Sequence, residues 1–148
     1  MKGVYPVYNN VFKIGVKGLE SKAEDMKTIA DLETFGPSFD NGVEEWTPMD
    51  TEGWVRRLMT GKGLTIDLSG KRNVGDEGND YVANLAFAAG NTVETKFEWV
   101  FPSGAKVELN VVVNVTNAGG GDSTNVGALE FSVMSNGKPT FTPAPAQG

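Results

Sequence analysis

The sequence predicts a mainly β fold, a sandwich or small barrel of about seven to nine strands flanked by one short α-helix. The first observation is that apolar and polar residues alternate in several segments, which places every second side chain on one buried face. The second is that a single alanine-rich segment breaks this alternation. The third is length, since 148 residues suit one domain that buries roughly 70% of the surface of its unfolded chain.

The clearest alternation lies between residues 93 and 116. Every second residue from Val107 to Val115 is apolar, and the residues between them are polar apart from Val112. A matching alternation covers residues 93–101, and the turn-forming residues 102–104 connect the two runs. We therefore predict one long β-hairpin over residues 93–116.

Shorter alternations predict the remaining strands. The pattern is distinct in three segments, at residues 12–16, 64–69 and 129–134. It is weaker or shorter in three others, at residues 29–35, 43–48 and 140–142. Residues 51–61 fit either an irregular or a helical turn, and the pattern leaves both open.

The helix is predicted over residues 80–88, which are rich in alanine and carry a loose helical stripe of apolar side chains. Asn79 or Asp80 is the expected N-cap, because short polar side chains can accept hydrogen bonds from the first helical N–H groups. Gly90 is the expected stop signal.

We predict a single domain over residues 1–142, of which residues 1–11 form an N-terminal arm. Residues 143–148 alternate proline and alanine before ending in Gln and Gly, and they predict a flexible C-terminal tail. The chain has no apolar run near the roughly 20 residues that cross a bilayer, and no pattern typical of a signal peptide. We therefore expect that the protein is synthesised in the cytoplasm and does not associate with a membrane.

The composition argues against catalysis. The chain has no cysteine and no histidine, so it lacks thiolate chemistry, the commonest general base and the commonest metal ligand. The net charge is −6, and residues 20–52 hold ten acidic residues against two lysines. This charge disfavours a nucleic-acid binder, which neutralises phosphates with clustered Lys and Arg. We expect no enzyme activity, no cofactor and no metal.

Three polar segments have ordinary explanations. The glycine-rich residues 119–122 lack the ending of a phosphate-binding loop, and residues 75–80 lack the ligand spacing of a calcium loop. Asp31 and Glu33, or Glu44 and Glu45, could be catalytic carboxylates, but a solvated acidic face explains them better. We therefore predict no catalytic, cofactor-binding or metal-binding residue.

Two basic doublets, Arg56-Arg57 and Lys71-Arg72, are too sparse to bind nucleic acid. They suit ion pairs with the acidic residues 20–52, within one subunit or between subunits. Trp46 could anchor an interface, although core packing would explain a tryptophan equally well. We predict these five residues as candidate inter-subunit contacts.

Several short sequence motifs, here called words, occur in an order that resembles the major tail tube protein of long, non-contractile bacteriophage tails. The resemblance rests on residues 29–73 and 78–142, which make up most of the chain, and none of the words is a catalytic signature. The words are Ile29-Ala30-Asp31-Leu32-Glu33, Gly42-Val43-Glu44-Glu45-Trp46-Thr47-Pro48, Glu52-Gly53-Trp54, Leu64-Thr65-Ile66 through Gly70-Lys71-Arg72-Asn73, Gly78-Asn79-Asp80-Tyr81 and Asn136-Gly137-Lys138-Pro139.

The resemblance implies a structural subunit of a virion tail, made in the host cytoplasm. Six copies would form a ring, and stacked rings would form a hollow tube in which long hairpins of neighbouring subunits join into a continuous β-barrel. Its partners would be further copies of the chain and the tape measure, tail terminator and distal tail proteins. Double-stranded DNA would pass through without binding. An acidic lumen would repel DNA, and the candidate lumen-facing residues are Asp31, Glu33, Glu44, Glu94, Glu98 and Glu108.

Two other functions fit the sequence. The chain could be the tube protein of a contractile injection device, such as a tailocin or a type VI secretion tube, because these subunits share a fold. It could instead be a monomeric β-sandwich binding module, which would present an exposed aromatic platform to a ligand.

Overall fold

A computed structural model describes residues 3–144, which form eight β-strands and one α-helix. This confirms the prediction of a mainly β fold with a single short helix. The strands are β1 (Val11–Gly15), β2 (Met26–Thr28), β3 (Leu32–Trp46), β4 (Arg56–Lys71), β5 (Glu94–Val100), β6 (Lys106–Ala118), β7 (Ala128–Ser135) and β8 (Thr140–Thr142). The helix α1 spans Glu77–Asn84, and short 3-10 turns occupy Val7–Asn9, Gly18–Glu20, Ala23–Asp25, Met49–Thr51, Leu85–Phe87 and Gly90–Val93.

All eight strands belong to one open antiparallel sheet. Its order is β2-β1-β5-β6-β7-β4-β3, and β8 pairs with β6 beside this path. The first half of β6 pairs with β5 and β8, whereas its second half pairs with β7. Strand β5 occupies one edge of β6. The other edge must therefore be shared by β7 and β8, which residues 136–139 separate.

The sheet folds over on itself into two layers. Phe12 in β1 and Phe35 in β3 lie near opposite ends of the strand order, yet their ring centroids are 4.8 Å apart. Phe35 also contacts Trp99 of β5, at 5.4 Å. The first layer therefore contains β2, β1, β5, β8 and residues 106–112 of β6. The second layer contains residues 113–118 of β6 with β7, β4 and β3, and the two layers enclose the core as a sandwich.

The core consists of the apolar residues that alternate in the sequence. Helix α1 and the turn after it close the core with Val82, Ala83 and Leu85. Burial of each large aliphatic or aromatic side chain contributes roughly 1.5–3 kcal/mol. The strand residues that fill the core are Phe12, Ile14, Leu64, Ile66, Leu68, Phe97, Val107, Leu109, Val111, Val113, Leu129, Phe131 and Val133.

The helix begins earlier than predicted. Its N-cap is Asp76, whose Oδ2 accepts hydrogen bonds from the N–H of Asn79 at 3.0 Å and of Ala30 at 3.1 Å. The predicted caps Asn79 and Asp80 were wrong, because the carboxylate of Asp76 fixes the first turn from outside the alanine-rich segment. The helix also ends before the predicted stop, and Gly90 begins a separate 3-10 turn with φ of +66°.

The hairpin predicted over residues 93–116 is confirmed as β5 and β6. It is not the longest hairpin, because β3 and β4 pair along nearly their whole lengths. The strand predicted at 29–35 is confirmed only from Leu32, where β3 begins, because a turn with Asp31 at φ of +61° separates β2 from β3. The predicted strand at 43–48 lies mainly within β3, and residues 56–61 are extended and not helical. Both faces of residues 43–48 and 56–61 are largely exposed, so their sequences show no regular alternation of apolar and polar residues.

No helix in the described part of the chain is long and apolar enough to cross a membrane. The N-terminal extension predicted over residues 1–11, which is distinct from the arm defined below, remains a prediction. So does the flexible tail predicted over residues 143–148. Residues 1–2 and 145–148 lie outside the described residues.

Candidate assembly surfaces

The outer parts of β3 and β4 project beyond the sandwich as a two-stranded ribbon. Strand β7 pairs with β4 only from Thr65 to Lys71, so β3 and β4 pair only with each other from the Phe39–Leu64 pair outwards. We call residues 39–63 the arm. Its β3 strand, from Phe39 to Trp46, extends roughly 25 Å at 3.3 Å per residue.

The arm exposes apolar side chains that the subunit does not bury. Phe39 is 61% exposed and Trp54 is 77% exposed, although large aromatic side chains usually lose most of their surface to packing. A contiguous apolar patch on a soluble protein typically marks an interaction site. The other exposed apolar residues of the arm are Val43, Trp46, Met49, Val55, Leu58 and Met59.

The tip of the arm has a defined conformation. Thr51 Oγ1 lies 2.7 Å from the carbonyl oxygen of Trp54 and 3.1 Å from that of Pro48, and the Trp54 N–H donates to the Thr51 carbonyl. Glu52 takes a left-handed conformation with φ of +54°, which is uncommon outside glycine. The tip, residues 47–55, is therefore a loop whose conformation is held by its own hydrogen bonds.

A bulge interrupts the arm at its middle. Gly42 lies opposite Gly61, and the next pair is Val43 with Met59, so one extra residue, Thr60, is inserted in β4. Beyond the bulge, the ribbon continues to Trp46 and Arg56.

Four predicted site residues lie together on the arm. The Arg56 guanidinium lies 5.6 Å from the centre of the Trp46 ring, and Arg57 Nε donates to Glu45 at 3.0 Å. Glu44 lies on the same face as Trp46, because the two are separated by one residue on β3. All of these side chains are exposed, so they are available to a second copy.

Lys71, Glu33 and Asp31 lie where β3 begins. Lys71 Nζ is 3.3 Å from a carboxylate oxygen of Glu33, and both side chains are about half exposed. Asp31 Oδ2 accepts a hydrogen bond from Asn73 Nδ2 at 2.6 Å. These contacts lie within one subunit, and the predicted lumen-facing and inter-subunit roles of these residues remain predictions.

Arg72 is oriented by partners in its own subunit. Its Nη1 donates to Asp80 at 2.7 Å and to Asn79 Oδ1 at 2.9 Å, and its side chain is only 19% exposed. These contacts hold helix α1 against the end of β4. They account for the basic residue at this position, and its predicted inter-subunit role remains a prediction.

Asn79 is the centre of this junction, and the sequence suggested it only as a helix cap. The side chain is fully buried, and its Nδ2 donates to the carbonyl oxygens of Ala30 at 3.1 Å and Lys71 at 2.9 Å. Its Oδ1 accepts from the N–H of Asn73 at 3.0 Å as well as from Arg72. One amide thus joins α1, the turn before β3 and the end of β4, which we call the Asn79 junction.

Gly70 belongs to the same region. A Cβ atom at Gly70 would lie 2.1 Å from the carbonyl oxygen of Asp31, which is backbone and cannot move aside. The sequence words around residues 70–73 and 78–81 therefore mark this structural junction.

Glu94, Glu98 and Glu108 lie on the outer face of the first layer. Glu98 and Glu108 are opposite each other in the β5–β6 ladder. Lys106 Nζ lies 2.7 Å from Glu108 and 3.5 Å from Glu98. The hydrogen bond to Glu108, together with the charges of both carboxylates, raises the pKa of Lys106. Part of the acidic charge on this face is therefore offset locally.

The structure divides the six predicted lumen-facing residues between two opposite surfaces. Phe35 of β3 packs against Phe12 and Trp99 of the first layer, so the inner faces of the layers meet. The outer faces must then point away from each other. Glu94, Glu98 and Glu108 lie on one outer face, whereas Glu33, Glu44 and the nearby Asp31 belong to the other layer. Only one of the two groups can face a given channel.

The outer face of the second layer is made mainly of small polar side chains. A shallow hollow of about 410 Å³ lies on this face between β3, β4, β7 and the end of β6. Its acidic residues are Asp67 and Glu130, which the sequence analysis did not single out. The available signal was their position on the polar side of alternating strands. The other polar residues lining the hollow are Thr34, Ser69, Thr116 and Ser132.

Both edges of the second layer lack a strand partner within residues 3–144. Strand β3 pairs on one side only, along its whole length. Strand β6 pairs with β5 only as far as Val112, so residues 113–118 have one edge without a neighbouring strand. An unpaired edge is a template for pairing with another chain.

Within residues 3–144, no three His, Cys, Asp or Glu side chains group in a way that could hold a metal ion. In the same range, every buried side-chain nitrogen or oxygen has a hydrogen-bond partner.

No protein-family model matches the chain, and no curated protein matches its sequence. Solved structures do match its fold. One is a chain from the tail of an empty gene transfer agent (GTA) particle with C6 symmetry, with a TM-score of 0.74 and 18% identity, covering 95% of this chain and 100% of that chain.

Two further structures match over nearly the whole chain. A chain from the virion of a native GTA particle has a TM-score of 0.70 and 17% identity, covering 95% of this chain and 100% of that chain. A chain from the tube terminating cap of the anti-feeding prophage has a TM-score of 0.61 and 11% identity, covering 97% and 94%. At these identities the comparisons establish a shared fold.

Proposed function

We propose that the chain is a non-catalytic structural subunit of a phage-like tail tube, located in the virion tail. The observation that carries the proposal is the arm, whose apolar side chains and unpaired backbone edge require a partner that the single subunit does not supply. The shared fold with chains of assembled tail particles supports it. We also propose that six copies form each ring, in line with the C6 symmetry of the GTA tail.

The ring contact would join the two free edges of the second layer. Strand β3 of one subunit would pair with residues 113–118 of β6 in its neighbour, so that every copy contributes the same contact around the ring. Closure of the sheet into a barrel removes both exposed edges. A head-to-tail contact of this kind forms a ring when its rotation closes.

In this arrangement the outer face of the second layer would line the lumen. The hydroxyl side chains of this face carry no positive charge that would neutralise DNA phosphates, and Asp67 and Glu130 join the predicted Glu33 in repelling them. Glu94, Glu98 and Glu108 would then lie on the exterior. DNA would pass through the tube without binding, and the tape measure, tail terminator and distal tail proteins would contact the tube inside and at its ends.

Electron microscopy of the purified protein, before and after concentration, tests the proposal. We expect hollow tubes with a regular axial repeat and six-fold end views. A variant that lacks the arm residues 40–62, joined by a short turn, is the matched control and should remain unassembled. A wild-type protein that stays monomeric at high concentration and binds a glycan would instead support the binding-module function.

A second candidate is the tube protein of a contractile injection device. The fold shared with the anti-feeding prophage tube cap supports it. A gene for a sheath protein beside the gene for this chain would favour this candidate, and its absence would favour the non-contractile tail.

A further inference from the structure

Pro37 interrupts one free edge of the second layer. It belongs to β3, which pairs with β4 on one side only, and it lies opposite Ile66 in that ladder. A proline nitrogen carries no hydrogen, so within a sheet proline is confined to positions where its nitrogen points away from the neighbouring strand. The orientation of the ladder shows that Pro37 occupies such a position.

A hydrogen bond of β4 gives this orientation. The Leu64 N–H donates to Ser135 Oγ of β7 at 2.9 Å, and β7 lies on the side of β4 that faces away from β3. Leu64 and its partner Phe39 are therefore a pair that exchanges no hydrogen bonds across the β3–β4 ladder. Such pairs recur at every second residue, and the ladder is regular from Thr34 to Gly42. The residues of β3 that direct their backbone groups to the free edge are Phe35, Pro37, Phe39 and Asn41.

The free edge of β6 has the same phase. The Asn136 N–H donates to the carbonyl oxygen of Asn110 at 2.8 Å, so Asn110 directs its backbone groups to the side of β7 and β8. By the alternation of a strand, Val113 and Val115 direct theirs to the opposite side, which β5 no longer covers. Both valines also turn their side chains towards the core, as Phe35 does. Two antiparallel edges of this kind can pair with their apolar faces on the same side.

The missing N–H makes the registers of such a pairing unequal. Two opposite residues that direct their groups to each other exchange two hydrogen bonds, whereas a pair that contains Pro37 exchanges one. Registers that place Pro37 opposite Val113 or Val115 therefore lose a bond in every contact around a ring. Both valines keep their full set when Val113 lies opposite Asn41 and Val115 lies opposite Phe39.

The closure of a barrel favours the same register. Across the sheet of one subunit, Val113 is level with Pro37 through the pairs of β7 and β4. Moving the contact from Pro37 to Asn41 shifts it by four residues. Over four strand spacings of about 4.8 Å, with about 3.3 Å per residue, this shift corresponds to a tilt of about 35°, within the range of closed barrels. A larger shift in this direction, or an equal shift in the other, meets one of the two bulges that interrupt the β3–β4 ladder.

We propose that Pro37 sets the register of the ring contact, so that Val113 and Val115 of one copy pair with Asn41 and Phe39 of its neighbour. This inference rests on the proposed function, because it specifies the strand contact that would close the ring. Pro37 then acts as a specificity-determining residue, since it excludes the neighbouring registers without contributing a bond itself.

Disulfide cross-linking tests the register, because the natural chain has no cysteine. In the proposed register the exposed residues Asp40 and Asn114 lie opposite each other, with Cα atoms about 4.5 Å apart, which a disulfide can span. Asp40→Cys/Asn114→Cys, assembled and then oxidised, should give cross-linked species up to a ring of six. Gly36→Cys/Asn114→Cys reports the unshifted register and Ser38→Cys/Asn114→Cys a shift of two residues. Both controls should stay largely uncross-linked.

A second variant avoids new cysteines. Asn114→Lys places an amine beside the natural Asp40 carboxylate, and a zero-length carbodiimide reagent joins the two as an amide. Peptide mapping of the cross-linked ring should identify Asp40 as the partner of the new amine. Asp40→Asn/Asn114→Lys is the matched control and should give no cross-link at this site.

Pro37→Thr tests the cause of the register. It restores the missing N–H, so the unshifted register gains one bond in every contact, and one net hydrogen bond corresponds to about a fivefold change in an equilibrium. Cross-linking of Gly36→Cys/Asn114→Cys should therefore rise by about fivefold or more when Pro37→Thr is added. Pro139→Thr, which lies outside β3, should leave it unchanged.

The outcomes separate this inference from the proposed function. Rings in which position 36 or 38 cross-links to position 114 as efficiently as position 40 does overturn the register and leave the proposed function standing. Cross-linking that Pro37→Thr does not alter overturns the role of Pro37. Failure of the wild-type chain to form rings or tubes overturns the proposed function itself.

Discussion

The Asn79 junction and the arm are built on opposite principles. At the junction, a fully buried amide uses its donor and acceptor groups within the subunit, and Arg72 completes the network. On the arm, the two strands pair only with each other, and apolar side chains such as Trp54 stay exposed. The junction fixes the shape of one subunit, whereas the arm leaves apolar side chains and a strand edge uncovered, which another copy would cover under the proposed function. Substitutions in the two regions should therefore have separable effects.

The largest effect on the single subunit is expected from Asn79→Ala. It leaves the carbonyls of Ala30 and Lys71 and the N–H of Asn73 without their partner, and each unsatisfied buried group costs about 1–3 kcal/mol. We expect the free energy of unfolding to fall by about 3 kcal/mol or more, measured by urea denaturation. Asn84→Ala, at the exposed end of the same helix, is the control. A change below about 0.5 kcal/mol, the usual range for surface sites, would contradict a structural role for the junction.

The arm should show the reverse behaviour. Met49→Ser/Trp54→Ser removes apolar surface that the subunit does not bury, so the free energy of unfolding of the monomer should change by less than about 0.5 kcal/mol. Tube formation, followed by light scattering and sedimentation, should be largely lost. Val74→Ser, at an exposed apolar position outside the arm, should assemble normally. A strongly destabilised monomer would mean that the arm packs against its own subunit.

Charge substitutions distinguish the two outer faces. If the second layer lines the lumen, tubes of Asp67→Lys/Glu130→Lys should retain short duplex DNA that wild-type tubes release. The retention should weaken steeply with salt, because it depends on phosphate neutralisation. Glu94→Lys/Glu108→Lys, with the same charge change on the first layer, is the matched variant. Co-sedimentation in a salt series measures both, and DNA retained inside tubes of the second variant only would assign the lumen to the first layer.

The smallest expected effect concerns Asp25. Its carboxylate accepts a hydrogen bond from the Lys22 N–H at 3.0 Å, and this bond, with the nearby charge of Lys17, lowers the pKa of Asp25. A lowered pKa in the folded state gives stability that is fully present above the ordinary aspartate pKa and is lost as the pH falls from there through the lowered pKa of the folded state. Thermal unfolding should show Asp25→Asn slightly less stable than wild type at pH 7, with the difference disappearing in acid. A difference that is the same at pH 7 and pH 2 would contradict the assignment.

The sandwich could be predicted from the sequence because its strands bury one face. The alternation from Val107 to Val115 in β6 follows directly from that burial. The arm could not be predicted in this way, since neither face of residues 39–63 is buried within the subunit and no alternation of apolar and polar residues results. The start of α1 was missed because Asp76 caps it through a contact with Ala30, which is distant in sequence.

The surfaces show a similar limit. Acidic residues were recognised one by one, but which of them share a face depends on how the sheet folds over. The contact between Phe12 and Phe35 decides this, and it joins two strands that no local pattern relates. The same contact separates Glu98 from Glu33 and leaves Asp67 on the side of Glu33.

The paired glycines at the middle of the arm have a mechanical consequence. Where Gly42 faces Gly61, no side chains brace one strand against the other, and the bulge at Thr60 already relaxes the ladder. Glycine also has the widest choice of backbone angles. The ribbon is therefore most compliant at this point and stiffer on both sides. A polymer whose subunits are linked by such ribbons can curve by small rotations at each joint, while every sandwich keeps its packing unchanged.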